Sequence, residues 1–150
     1  MKKIILSAVL LTLAFTGITY ANDGGNINKQ VIRSFNREFA TAKEVDWQSA
    51  AEYSKAKFTL NGQVMTAYFS QSGNLIAVTR NLLADQLPIT LFTDLKKNYS
   101  GYWITELFEL AKDGETSYFI TLEDGNSITT LKSVGTNGWE LHKKLRKDAE

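Results

Sequence analysis

The sequence predicts an α+β protein: tandem helix-plus-three-strand meander repeats, forming an antiparallel sheet with the helices packed on one face. Three observations predict it. Apolar residues recur at helical spacing in two separate places. The stretches after each of them alternate apolar and polar residues and are punctuated by turn dipeptides containing glycine. A short internal similarity, Thr66-Ala67-Tyr68-Phe69 against Thr116-Ser117-Tyr118-Phe119 and Gly73-Asn74 against Gly125-Asn126, agrees with that order.

Ile27, Val31, Phe35 and Phe39 recur every four residues, with Ile32 alongside and Arg33, Asn36, Arg37 and Glu38 opposite. One stripe of a helix ending near Lys43 therefore faces a core. The period then falls to two. Tyr53 to Leu60 puts Ser54, Ala56, Phe58 and Leu60 on one face and Tyr53, Lys55, Lys57 and Thr59 on the other. Asn61-Gly62 is a strong hairpin signal, because both turn residues must tolerate positive φ. Gln63 to Ser70 is the return strand, and after Ser72-Gly73-Asn74 the segment Leu75 to Arg80 is a third.

Pro88 suits a helix start, where no amide donor is needed. Leu91, Leu95 and Tyr99 make a second stripe with Phe92, closed by Ser100-Gly101. Strands follow over Trp103 to Leu110, Thr116 to Glu123 and Ser127 to Val134, and Trp139 to Leu145 is either a final strand or a short tail. The repeats then cover about residues 27–80 and 88–145. Trp47, Trp103 and Trp139 are expected as core or edge anchors.

The N-terminus has the order of a secretory signal. Lys2 and Lys3 precede an apolar run from Ile4 to Phe15, and Thr19-Tyr20-Ala21 offers a small residue for cleavage. Thr12, Thr16, Gly17 and Thr19 weaken the run as a membrane anchor, which wants ~20 predominantly apolar residues. Residues 1–21 are thus expected as a signal peptide and residues 22–150 as a single exported domain, periplasmic or secreted, with no stable membrane anchor. No cysteine is present, so disulfides, thiolate metal sites, thiol catalysis and a lipoprotein anchor are excluded. Stability must come from the core, for which 43% hydrophobic and 11% aromatic residues suffice. Lys+Arg number 17 against 16 Asp+Glu, a balance that gives no electrostatic reason to seek nucleic acid.

No motif demands a particular chemistry. There is no Gly-x-Ser-x-Gly elbow, phosphate loop or dinucleotide fingerprint. His142, the single histidine, lies in a basic C-terminal stretch and reads as an exposed tail residue. Asp113, Glu115, Glu123 and Asp124 lack the spacing of a calcium loop and read as solvated turn formers. Asn98-Tyr99-Ser100 fits a glycosylation sequon but overlaps the helix end and is given no role. Lys143 to Lys147 forms a basic end suited to a solvated surface, an acidic partner or an anionic membrane. No catalytic residues, metal ligands or cofactor are expected.

The aromatic residues carry the functional expectation. If Phe58, Met65, Phe69 and Phe119 face the helices, alternation sends Tyr53, Tyr68 and Tyr118 to the opposite face, with Lys55, Lys57 and Thr66. A face of tyrosines and lysines suits binding of an envelope protein or peptide, since Tyr combines large contact area with a polar tip. Cross-strand pairing that stabilises the sheet is the alternative role for these tyrosines. A small-ligand carrier or hydrolase with a pocket between sheet and helices is the alternative function.

Val45-Asp46-Trp47, Tyr53, Ala56-Lys57-Phe58, Gly62, Ala67-Tyr68-Phe69 and Gly73-Asn74 together resemble the PepSY-like, beta-lactamase-inhibitor-like family of small exported Bacteroidetes proteins. The resemblance is best over about residues 27–80. It implies a periplasmic or secreted protein of repeated α/β units without enzymatic activity. The beta-lactamase inhibitory protein that the family's name evokes covers an enzyme with the exposed face of its sheet. This chain lacks that protein's disulfide cysteines, so no inhibitory residues are carried over.

Overall fold

The computed structural model describes residues 27–147. The signal-peptide expectation for residues 1–21 lies outside them. The element order is α1 (Lys29–Glu38), β1 (Lys43–Ser49), β2 (Tyr53–Leu60), β3 (Gln63–Ser70), β4 (Leu75–Asn81), a 3-10 turn (Ala84–Gln86), α2 (Ile89–Asn98), β5 (Trp103–Lys112), β6 (Glu115–Glu123), β7 (Ser127–Val134) and β8 (Glu140–Arg146). The strands form one antiparallel sheet in chain order, β1 to β8.

Each helix is therefore followed by four strands rather than the expected three. α1 starts where the Asn28 side chain accepts the Gln30 amide, satisfying one of the orphan donors of the first turn. It stops at Glu38, short of Lys43, because the chain must turn to enter β1. β1 was hidden by its own irregularity. Glu44 has φ of 53°, and the ladder with β2 shifts between Lys43 and Asp46, so strict alternation survives only from Asp46 onward. At the other end, β8 is a strand and not a tail, so His142 sits on a paired strand.

Both helices lie on one face of the sheet. Under α1, Val31 and Phe35 pack on Ala56, Phe58, Ala67 and Phe69, all buried. Under α2, Leu95 joins Leu107, Ile120, Leu122 and Leu131. The register connects the two clusters. Met65 is opposite Arg80, and Arg80 is opposite Glu109. Residues two apart on a strand share a face, so Ala67 beneath α1 and Leu107 beneath α2 point the same way.

The second half corrects the expected parity of β6. Tyr118 stands on the helix face and Phe119 on the opposite one. Ile120 and Leu122 are fully buried under α2, and alternation carries Tyr118 with them. The short match between Thr66–Phe69 and Thr116–Phe119 misled because the two segments hold different places, β3 being third after α1 and β6 second after α2. The tryptophans also divide. Trp47 meets Phe35 edge-on at 5.1 Å, and Trp139 donates its indole N–H to the Leu91 carbonyl at 3.1 Å, whereas Trp103 is 72% exposed and anchors nothing in the core.

The halves meet at a short seam, where Val78, Thr79, Arg80 and Asn81 of β4 face Ala111, Leu110, Glu109 and Phe108 of β5. On the helix face of this seam Arg80 donates to Glu109 at 3.0 Å and to Gln63 at 3.3 Å, linking β3, β4 and β5. Its Nε is buried without an acceptor. Tyr118 leans on the same carboxylate. Its pKa is raised by burial first, then by the charge of Glu109 and the hydrogen bond between them. Replacing Arg80 by Met is expected to cost about 1–2 kcal/mol, because it strands a half-buried carboxylate. The double mutant with Glu109→Gln should recover about 1 kcal/mol of that, as partly exposed pairs do. Urea unfolding of the four proteins measures this, and strictly additive losses would show that the pair does not join the halves.

Candidate binding face

The face opposite the helices is covered by no element among the described residues. Its composition can be read row by row from the ladders. One row crosses the whole seam: Asp46, Lys57, Thr66, Thr79, Leu110, Ser117 and Val134. The middle of the face is thus built of small and aliphatic groups. Aromatic groups stand to either side of it.

On the first-half side, Tyr68 lies opposite Lys55 and Tyr53 opposite Ser70. The two tyrosine rings approach to 6.0 Å. Burial raises the Tyr68 pKa above the ordinary tyrosine value, and the neighbouring Tyr53 adds to the shift. Lys57 pairs across with Thr66 and with Asp46 of the edge strand. Tyr53, Lys55, Lys57 and Tyr68 are therefore brought together on this face, as their alternation in β2 and β3 predicts. Tyr118 is not with them.

On the second-half side, the residue in place is Phe119. Its ring stacks on Phe108 at 5.1 Å with the planes 11° apart. His142 meets it edge-on at 5.6 Å, and the Lys132 ammonium lies 5.7 Å from its centroid. These neighbours leave Phe119 only 5% exposed. Phe108 is half-buried, and beside it run Glu106, Thr121 and Thr130. Burial raises the Glu106 pKa, a shift opposed by its hydrogen bond with Thr121. Farther along, Trp103 is opposite Glu123, Glu123 opposite Ile128, and Ile128 opposite Leu145.

Sequence reasoning missed Phe108, Leu110 and Lys132. In β5 apolar residues occupy both parities, Leu107 on one and Phe108 with Leu110 on the other, so alternation selects no face. The signal lay in β6, where Tyr118, Ile120 and Leu122 outweigh Phe119 and fix the parity of the strands around it.

Among the described residues no group of three or more His, Asp or Glu side chains is placed to hold a metal. Beneath α1, the space between helix and sheet is filled by Phe35 against Phe39, Trp47, Phe58 and Phe69. Among the described residues no helix is long and apolar enough to cross a membrane.

No protein-family model matches the sequence, and no curated protein does. Solved structures share the fold. A DUF2874 family protein from Bacteroides ovatus superposes with a TM-score of 0.72 at 18% identity, covering 82% of this chain and 89% of its own. A candidate periplasmic protein from Bacteroides eggerthii gives 0.71 at 13% identity, with 81% and 90% covered. A BLIP-like protein from Bacteroides fragilis gives 0.66 at 15% identity, with 88% and 94% covered. At such identities the likeness is one of fold. The last of these agrees with the beta-lactamase-inhibitor-like side of the sequence resemblance, and the PepSY-like side has no counterpart among the three.

Proposed function

We propose that this is an exported, non-enzymatic binding protein that engages another envelope protein through the sheet face opposite the helices. The observation that carries the reading is the half-buried mosaic on the sheet face that no described element covers. Tyr53, Tyr68 and Lys55 stand on one side of the row that runs from Lys57 through Thr66, Thr79 and Leu110, and Phe108 stands on the other. Aromatic groups with polar rims are what protein interfaces enrich. The fold likeness to a BLIP-like protein and to a candidate periplasmic protein supports the same reading. So does the signal-like order of residues 1–21, with residues 22–150 as one mature domain. The succession of a helix and four strands, then again a helix and four strands, supports two copies of one unit, each with its own helix over its own strands.

Affinity capture from an envelope extract tests the reading. A Lys55→Glu, Tyr68→Ala variant and a Phe108→Ala variant are expected to retain the partner at least about tenfold more weakly than wild type, as loss of central interface anchors does. Tyr118→Phe, on the helix face, should leave retention unchanged. All variants must first match wild type in circular dichroism. Equal retention by wild type and both face variants would sink the sheet-face reading.

A further inference from the structure

We infer that β8 is a second docking element, which takes up an extended acidic segment of a partner as a ninth strand. Among the described residues β8 has a strand neighbour on one side only, so alternate backbone N–H and C=O groups face outward along the sheet edge. Every residue from Glu140 to Arg146 is exposed. The strand's irregularity lies at its start, where the ladder shifts between Thr130 and Leu131 on β7. Beyond it, Lys143, Lys144, Leu145 and Arg146 pair regularly with Thr130, Thr129, Ile128 and Ser127.

This regular part concentrates the charge. Lys143, Lys144 and Arg146 occur within four residues, and none forms an ion pair with a described residue. Lys144 stands near Asp124 and helps hold that carboxyl below its usual range, after the larger effect of the Asn126 amide hydrogen bond. Lys147 is spent on Glu123 and on the Asp124 carbonyl, which pins the end of the strand in place. Cations on a sheet edge repel a second β8 and so prevent like pairing. The same charges favour a strand of the opposite sign. Leu145, 48% exposed between Lys144 and Arg146, offers an apolar contact to the residue opposite it on such a strand.

β1, the other edge, is a poorer candidate. Its ladder is regular only from Asp46 to Ser49, and Glu44 is already bonded to the Thr59 hydroxyl. The inference concerns the edge and not the face, so the Lys55→Glu, Tyr68→Ala variant should leave it intact.

The test uses the whole mature chain and a fluorescent, end-blocked peptide alternating glutamate and valine, of the seven-residue length of β8. Anisotropy should report binding that weakens at least about tenfold for Lys143→Glu, Lys144→Glu, Arg146→Glu protein, as charge complementarity requires. The same peptide with alternate backbone nitrogens methylated keeps its charges but loses its donors. It should bind wild type at least about tenfold more weakly, as strand addition requires. That arm needs no variant and stands even where the triple variant fails to fold. No binding by wild type, or equal binding of the methylated peptide, overturns the inference. So does tighter attachment to vesicles of anionic phospholipid than to the peptide, which would make the edge a membrane contact. Wild-type self-association that competes with the peptide would assign the edge to a second copy and overturn it as well.

Discussion

Truncating Phe35 to alanine should lower the stability of the protein by about 3–5 kcal/mol, the range for removing a buried phenyl ring. Phe35 is 3% exposed and is the ring around which the first cluster is built. Its centroid lies 5.4 Å from Phe39, 5.1 Å from Trp47, 5.0 Å from Phe58 and 6.3 Å from Phe69. The Trp47 and Phe58 contacts are edge-to-face, an arrangement that adds to simple burial. Removing the ring takes away the partner of all four at once, and α1 has only Val31 as a second buried side chain. Small domains have about 5–15 kcal/mol to lose, so the variant is expected to be substantially unfolded at the temperature of its host. Urea unfolding followed by tryptophan fluorescence measures the loss, since Trp47 reports on the same cluster. A midpoint unchanged from wild type would mean that α1 does not depend on this ring.

Gly73→Ala is the second large effect, expected at about 2–5 kcal/mol. Two costs combine. Gly73 has φ of 86°, where a side chain costs about 1–2 kcal/mol. A β-carbon there would also come within 2.9 Å of the Gln30 carbonyl oxygen and 3.0 Å of its carbon. Those are backbone atoms of α1 and cannot swing aside, so the helix must shift at an overpacking cost of about 1–3 kcal/mol. The turn is held where it is by the Asn28 side chain, which donates to the Gln71 carbonyl at 3.0 Å. Gly62 supplies the control. It has a similar φ of 80° but nothing within 4 Å of its missing β-carbon, so Gly62→Ala should carry the conformational cost alone. Thermal melts of the two variants separate the contributions. Equal losses would show that α1 does not rest on the β3–β4 turn.

The fold was legible in the sequence wherever one periodicity ruled. α1 announced itself by the spacing of Val31 and Phe35, and β2 and β3 by the alternation around Asn61-Gly62, because a half-buried element must segregate its apolar residues. β1 was not legible, since an edge strand buries little and a residue at positive φ disrupts its period. β8 was ambiguous for the related reason that all of it is exposed. Of the candidate face, Tyr53, Lys55, Lys57 and Tyr68 were legible and Tyr118 was misplaced. β6 has large side chains of both parities in Tyr118-Phe119-Ile120, and only packing under α2 decides between them. A one-residue error of parity exchanges the two faces entirely, which is how a single misread strand moved a tyrosine onto the face and a phenylalanine off it.

The order of strands in the sheet bears on how the chain reaches its structure. Consecutive strands pair throughout, from β1 to β8. Such a ladder can grow by zipping, each hairpin closing a short loop, so the contact order is low for a protein made mostly of sheet. Among the described residues the one long closure between paired strands runs from Asn81 at the end of β4, through the 3-10 turn and α2, to Trp103 at the start of β5. Folding should therefore be rapid within each half and limited by the meeting of β4 with β5. The Arg80–Glu109 seam, where β4 meets β5, is placed to set that rate.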